Sequence, residues 1–153
     1  MADSDSQSPM HCNGAAIRKA SRRITQMYDD ALGPCGIRST QFTILCAIRD
    51  GFKSPPTIRR LADALAMEAS ALGHNLKPLE RVGWVVLQPS EDDRRRKHLI
   101  LTPDGLAQLK AAESFWRTAQ ARFESVVGSS AAADLRNLLL GIAHDDRLTA
   151  ADL

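Results

Sequence analysis

The chain has 153 residues, of which 44% are hydrophobic and 25% charged, and its formal net charge is +2. This composition is typical of one ordinary globular domain and excludes low-complexity and fibrous classes. The N-terminus lacks the pattern of a signal peptide, and no apolar run approaches the roughly 18 residues that suggest a membrane span. Three cysteines without metal-ligand or C-x-x-C spacing fit a reducing compartment. We therefore expect a cytoplasmic protein that makes no membrane contact.

Apolar periodicity predicts a mainly α fold with one small β-hairpin, in the order H-H-H-H-E-E-H-H. The predicted helices cover residues 15–32, 40–49, 58–65 (with Thr57 as its cap), 68–82, 103–127 and 131–143, and the predicted strands cover 84–88 and 98–101. Ser39 or Thr40 is expected to cap the second helix, Pro78 to bend the fourth helix or tighten its last turn, and G-S-S (128–130) to separate the last two. Residues 13–145 are expected to form one domain between a disordered tail, 1–12, and a C-terminal tail, 146–153.

The fourth predicted helix has one polar face and one apolar face. Residues spaced by four and three positions share a side of a helix. The polar side carries Ser70, His74, Lys77 and Arg81, and the opposite side carries Leu72, Leu76 and Leu79. A short helix precedes it after a tight turn, which is the helix-turn-helix pattern whose second helix enters the major groove of DNA.

The predicted hairpin has a strongly charged tip, S-E-D-D-R-R-R-K-H, at residues 90–98. A two-stranded ribbon directly after a helix-turn-helix is the winged arrangement. Arginine suits its tip because it neutralises phosphates and is attracted to a narrow minor groove. One of the preceding carboxylates can hold an arginine in an extended pose. The helix and the hairpin together favour double-stranded DNA as the partner.

The chain resembles the MarR family of winged-helix regulators over about residues 13–145. The matching segments are A-S-R-R-I-T-Q-M-Y-D, G-I-R-S-T-Q-F-T-I-L, N-L-K-P-L-E-R-V-G-W-V and D-R-R-R-K-H-L-I-L-T-P-D-G, in order. The resemblance implies a homodimer that binds a pseudo-palindromic site, with a winged-helix part at 37–101 and dimerisation helices at 13–33 and 103–145. It assigns Arg95 to the minor groove and Asp93 to orienting that arginine. The DNA-contacting set it implies is Ser70, His74, Asn75, Lys77, Arg81, Asp93, Arg94, Arg95, Arg96 and Lys97.

One segment departs from the family pattern. Where related recognition helices often read R-T-T-L-T-R-N-L, this chain reads A-S-A-L-G-H-N-L at 69–76. Smaller or weaker groups replace two threonines and two basic residues, and Gly73 costs about 1 kcal/mol of helix stability relative to alanine. We expect DNA recognition to depend on Lys77, Arg81 and the hairpin tip. The alternative is a winged-helix protein-interaction module that has lost specific DNA binding.

The resemblance also implies a small aromatic or phenolic effector, commonly an anion, that binds between the dimerisation helices and the winged-helix part and releases a repressor from its operator. The candidate lining residues are Ile17, Ser21, Arg23, Ile24, Tyr28, Phe42, Leu45 and Trp116, with Arg22 or Arg23 available to an anion. A rival input is peroxide sensed by Cys12, a thiol near a helix N-terminus, although the resemblance places the family's sensing position at Gly14. The histidines are scattered and no phosphate-binding glycine loop is present, so we expect neither an enzyme, a metal site nor a cofactor.

Overall fold

The computed structural model describes residues 11–91 and 93–148, and its fold confirms the mainly α class and the predicted element order. The elements are α1 Asn13–Leu32, α2 Ser39–Asp50, α3 Ile58–Ala64, α4 Ala69–Arg81, β1 Val85–Pro89, β2 Lys97–Leu101, α5 Pro103–Val127 and α6 Ser129–Ala143. Short 3-10 turns occupy Gly33–Cys35 and Asp146–Leu148. None of the described helices is both long enough and apolar enough to cross a bilayer.

The predicted tails fall largely outside the described residues. Of the N-terminal tail, residues 1–10 lie outside them, whereas Cys12 is the N-cap of α1. Of the C-terminal tail, 149–153 lie outside them, and Asp146–Leu148 forms a 3-10 turn.

The beginning of α2 differs from the prediction, because neither Ser39 nor Thr40 is its cap. The N-cap is Arg38, with extended backbone, and its N–H donates to Gln41 Oε1 at 3.0 Å. The Asp29 carboxylate, at the end of α1, accepts from the Ser39 N–H at 2.7 Å and from the Ser39 hydroxyl at 2.6 Å. The Asp29 carboxylate thus accepts from the Ser39 backbone N–H at the start of α2. Local sequence alone would have paired such an N–H with a side chain of α2 itself.

The prediction for the start of α6 was also wrong, by two residues. Gly128 has φ of 94°, which glycine adopts readily, and it alone separates α5 from α6. Ser129 and Ser130 are already helical.

The helix-turn-helix is built from α3 and α4, whose leucines enter the core. Leu61, Leu72, Leu76 and Leu79 are all at most 1% exposed. Helix α4 continues through Pro78 to Arg81, its C-cap is Val82, and the next residue, Gly83, has a φ of 78°. The Trp84 N–H then donates to the Leu79 carbonyl at 2.9 Å and the Gly83 N–H to the Glu80 carbonyl at 3.0 Å. This glycine-dependent ending turns the chain directly into β1.

The hairpin of β1 and β2, here called the wing (residues 85–101), is antiparallel, with Val85 opposite Leu101 and Pro89 opposite Lys97. It is anchored to the loop between α2 and α3. The Leu99 N–H donates to the Pro56 carbonyl at 2.8 Å, and His98 Nδ1 lies 2.8 Å from the Pro55 carbonyl oxygen. The middle of β2 is therefore fixed to the loop that precedes the helix-turn-helix.

The wing meets α5 at a very close backbone contact. The Thr102 hydroxyl donates to the Gly83 carbonyl at 2.6 Å and accepts from the Gly105 N–H at 3.0 Å, which caps α5. A Cβ built on Gly105 would lie 2.1 Å from the Trp84 carbonyl oxygen and 2.8 Å from Leu101 Cδ1. No side chain larger than hydrogen fits there without a backbone shift.

Helix α5 also contacts the helices on its other side. Arg49 at the end of α2 donates to Glu113 Oε1 at 2.6 Å and pairs with Asp50, and these hydrogen bonds raise the pKa of the Arg49 guanidinium. The Tyr28 hydroxyl of α1 donates to Gln120 Oε1 at 2.5 Å. By contrast, α6 has one buried residue, Ala132, so its apolar side is largely uncovered within the described chain.

Two glycine-to-alanine substitutions should have opposite effects on stability. Gly105→Ala should lower the free energy of unfolding by at least about 2 kcal/mol, because the added methyl group overlaps backbone. Gly73→Ala should raise it by about 1 kcal/mol, because nothing lies within 4 Å of the added carbon and alanine is the better helix former.

Urea denaturation followed by circular dichroism, at one protein concentration for all variants, measures both effects. A stable Gly105→Ala variant with an unchanged midpoint would contradict the close packing of α5 on Trp84.

Candidate DNA-binding surface and effector cavity

Helix α4 carries five of the residues that the resemblance assigns to DNA contact, and four of them lie on its outward face. Ser70, His74, Lys77 and Arg81 are exposed. Asn75 differs, because it is half-buried and its side-chain amide donates to the Ala71 carbonyl at 2.9 Å. The exposed candidates for DNA contact on α4 are thus Ser70, His74 and the cations Lys77 and Arg81.

The wing tip, the segment between the strands at residues 90–96, is closed by hydrogen bonds. The Ser90 N–H donates to the Arg96 carbonyl at 2.8 Å, and the Arg96 N–H donates to the Asp93 carbonyl at 2.9 Å. Arg94, Arg95, Arg96 and the adjacent Lys97 are all exposed. The tip and Lys97 therefore present four exposed cations directly after three acidic residues, so positions 91–97 carry four positive and three negative formal charges.

Asp93 acts on the main chain of Arg95. Its Oδ1 accepts from the Arg95 backbone N–H at 3.0 Å, and its Oδ2 lies 3.7 Å from Arg96 Nε. No carboxylate of the described residues pairs with the Arg95 guanidinium. Asp93 therefore shapes the turn that presents Arg95, and its loose ion pair is with Arg96.

A cavity of about 320 Å³ lies between α1, α2, α5 and the turn that precedes α4, and is called here the α1–α2–α5 cavity. Its lining residues are Ile24, Thr25, Tyr28, Leu32, Ser39, Thr40, Phe42, Thr43, Ile44, Leu65, Met67 and Trp116. The rings of Phe42 and Trp116 stack with centroids 6.0 Å apart and an interplanar angle of 19°. Its size and its mixture of aromatic and hydroxyl groups suit a small organic molecule.

The structure brings together four of the eight predicted effector residues. Ile24, Tyr28, Phe42 and Trp116 line the α1–α2–α5 cavity. Leu45 does not line it, since it is fully buried in the core. The remaining three, Ile17, Ser21 and Arg23, are exposed on α1 and do not line the cavity either.

The cavity also contains hydroxyl-bearing residues that the sequence reasoning missed. Thr25, Ser39, Thr40 and Thr43 line it. A helical projection of α2 would place Ser39, Thr40 and Thr43 near Phe42, but polar residues at a helix start are ordinarily read as caps. Burial, and secondarily the Glu124 carboxylate, raises the pKa of the Tyr28 hydroxyl, so this group is neutral at physiological pH.

Cys12 lies apart from these sites, at the N-terminus of α1. Its sulfur accepts from the Ala15 N–H at 3.4 Å, and its side chain is exposed. Hydrogen bonds from the Ala15 and Gly14 backbone lower the pKa of the Cys12 thiol, and the charge of Arg18 adds to this effect. The thiolate form is favoured at such a helix end.

Comparison with known proteins gives relatives of one kind. A family model described as a winged helix DNA-binding domain matches residues 39–105. The multiple antibiotic resistance protein MarR of Salmonella typhimurium is 32% identical over 95 residues, which cover 61% of this chain and 64% of the relative. The transcriptional repressor NicR of Pseudomonas putida is 32% identical over 98 residues, covering 64% of this chain and 61% of the relative. The matches thus span less than two thirds of these curated relatives.

A solved structure matches over a greater length. The transcriptional regulator MosR of M. tuberculosis, in complex with DNA, is 34% identical with a TM-score of 0.72, and the alignment covers 83% of this chain and 92% of that one. These relatives are transcriptional regulators, which confirms the expectation of a regulator rather than an enzyme. Together with the helix-turn-helix, the wing and the flanking helices, they show that the chain belongs to the MarR family of transcriptional regulators.

Proposed function

We propose that the chain is a homodimeric DNA-binding repressor that leaves a pseudo-palindromic operator when a small aromatic molecule binds. The observation that carries this proposal is the outward face of α4 beside an exposed, arginine-rich wing tip. Both lie on a scaffold with a buried apolar core, and a relative with this fold is solved in complex with DNA. The α4 face would enter the major groove, and the wing tip would contact phosphates and the adjacent minor groove.

Helix α4 and the wing tip should contribute unequally to the affinity for DNA. Helix α4 offers Lys77 and Arg81 as its exposed cations toward DNA, whereas four consecutive cations stand at or beside the wing tip, residues 94–97. Since phosphate neutralisation supplies much of the affinity of such proteins, the wing should contribute more of it than the helix.

Apolar residues left uncovered on α5 and α6 support dimerisation. The most exposed of them are Val126 at 81%, Leu138 at 62% and Leu140 at 53%. Covering this surface with the same surface of a second copy would bury it and bring two α4 helices onto one face of DNA.

The α1–α2–α5 cavity supplies a route from effector to DNA. Leu65 and Met67, in the turn that holds α4, line the cavity together with residues of α1 and α5. A ligand there contacts both the dimerisation helices and the support of α4. If it binds one spacing of the two α4 helices more tightly, it shifts the population toward that spacing.

Replacing single cations should separate the contributions to DNA binding. Arg95→Ala should weaken binding to an operator from the region upstream of its own gene by roughly 1–3 kcal/mol. Lys77→Ala should weaken operator and random DNA alike and reduce the slope of log affinity against log salt by about 1.

Fluorescence anisotropy at several salt concentrations provides the measurement. Lys110→Ala, an exposed lysine of α5, is the control and should change neither quantity. A wild-type protein with no preference for any upstream site over random DNA would instead favour a protein-interaction module.

Charge introduced on the apolar side of α6 should prevent dimerisation. Leu138→Glu and Ile142→Glu place carboxylates at positions 62% and 41% exposed in the single chain, so each monomer should still fold. The mass by light scattering should then fall to that of one chain, 16.7 kDa. Asn137→Glu, on the same helix, is the control. A wild-type monomer at micromolar concentration would exclude the dimer.

The position of Cys12 supports a second input, oxidation by peroxide. The hydrogen bonds that lower the pKa of its exposed thiol make the thiolate, the reactive form, more abundant. Peroxide should then release wild-type protein from DNA but not Cys12→Ser. Cys46→Ser is the comparison, because burial raises the pKa of the Cys46 thiol. Equal release of Cys12→Ser and wild-type protein would rule Cys12 out.

A further inference from the structure

The side chains that line the α1–α2–α5 cavity are all uncharged. The stacked rings of Phe42 and Trp116 form a flat apolar wall. Thr25 and Thr40 bring hydroxyl groups that make no side-chain hydrogen bond to any other described residue, so each has a donor and an acceptor available. Such a lining suits a planar ring that carries a neutral hydrogen-bonding substituent.

Beside this cavity, the position that would attract an anion already holds a carboxylate of the protein, that of Asp29. The backbone N–H of Ser39 is at the start of α2, where unpaired N–H groups and the helix dipole attract negative charge. The Asp29 carboxylate takes that N–H at 2.7 Å and the Ser39 hydroxyl at 2.6 Å. Arg38 Nη1 lies 3.7 Å from Asp29 Oδ2. Because the Arg38 side chain is 80% exposed, it compensates the charge of Asp29 weakly. A ligand carboxylate in the cavity would meet a like charge behind Ser39.

The arginines expected to hold an anion are on another side of α1. Arg22 and Arg23 line an exposed groove with Lys19, away from the cavity. A carboxylate that entered the cavity would therefore find no cation among the described residues that line it, and burying an unpaired carboxylate is unfavourable.

We propose that the α1–α2–α5 cavity selects an uncharged aromatic ligand, such as an aryl amide or an un-ionised phenol, and rejects the aryl carboxylate of the same shape. The inference rests on the proposed effector role of the cavity and names the chemical class of its ligand. Asp29 is the residue that sets the selectivity, acting through Ser39.

Matched pairs of probes test this selectivity directly. Benzamide is compared with benzoate, and 2-naphthamide with 2-naphthoate, by isothermal titration calorimetry on the full chain at neutral pH without DNA. The amides should bind at least about tenfold more tightly, which is about 1.4 kcal/mol. A Trp84→Phe background leaves Trp116 as the single tryptophan, and quenching of its fluorescence should report occupancy of the cavity.

Two variants, each with a matched control, test whether charge causes the preference for amides over carboxylates. Asp29→Asn keeps an acceptor for Ser39 but removes the charge, and should narrow the amide preference by at least about threefold. Asp30→Asn is the matched control, because its carboxylate is exposed and accepts from Gln26 instead. Thr25→Lys adds a cation at the cavity wall and should strengthen benzoate binding. Gln26→Lys, next on the same helix and outside the cavity, should not.

The possible outcomes are distinct. Equal or tighter binding of the carboxylates, or binding of neither member of a pair up to its solubility limit, would overturn the proposal. Equal narrowing by Asp29→Asn and Asp30→Asn would overturn the assignment to Asp29. If Asp29→Asn does not fold, benzoate binding that Thr25→Lys leaves unchanged would overturn the electrostatic origin of the preference. Because ligand binding is measured without DNA, a failure of DNA binding would show separately in anisotropy and leave the selectivity standing.

Discussion

The first turn of α5 packs directly on the backbone of Trp84, and the position of the wing relative to the long helix depends on that contact. Thr102 contributes at both ends of the junction, since its hydroxyl caps α5 and also donates to the carbonyl of Gly83. Gly105 permits the approach because a Cβ there would overlap the Trp84 carbonyl oxygen. The T-P-D-G segment at 102–105 is thus explained by sterics and capping together.

The exposed wing tip, the contact between α2 and α5 and the cavity wall differ in the charged side chains that they carry. The cations at the wing tip are exposed and make loose or no ion pairs among the described residues, which leaves them available to a polyanion. The tighter pair between Arg49 and Glu113 is half-buried and connects α2 to α5. The side chains that line the α1–α2–α5 cavity are uncharged. The protein therefore separates the groups suited to phosphates from those suited to an organic ligand.

Most of the fold follows from short-range sequence patterns, and the exceptions involve residues distant in sequence or single backbone angles. The spacing of the leucines in α4 was sufficient to separate its core side from its outward side, and the alternation of strand-forming residues located the wing. The start of α2 was not accessible to such reasoning, because its stabilising acceptor, Asp29, belongs to α1. Four of the eight candidates that the resemblance supplied, among them Phe42 and Trp116, line the cavity, but such reasoning cannot distinguish a core position such as Leu45 from a cavity wall.

The junction at Gly105 also has a mechanical consequence. Because the hairpin is joined to α5 by backbone contact and is also hydrogen-bonded through His98 and Leu99 to the loop between α2 and α3, a tilt of α5 about this junction moves the wing when that loop tilts with it. Strands of five residues extend about 16 Å from the pivot, so a tilt of about 10° in α5 displaces the tip by about 3 Å. That displacement equals the length of a hydrogen bond, and it is sufficient to take an arginine out of reach of a phosphate.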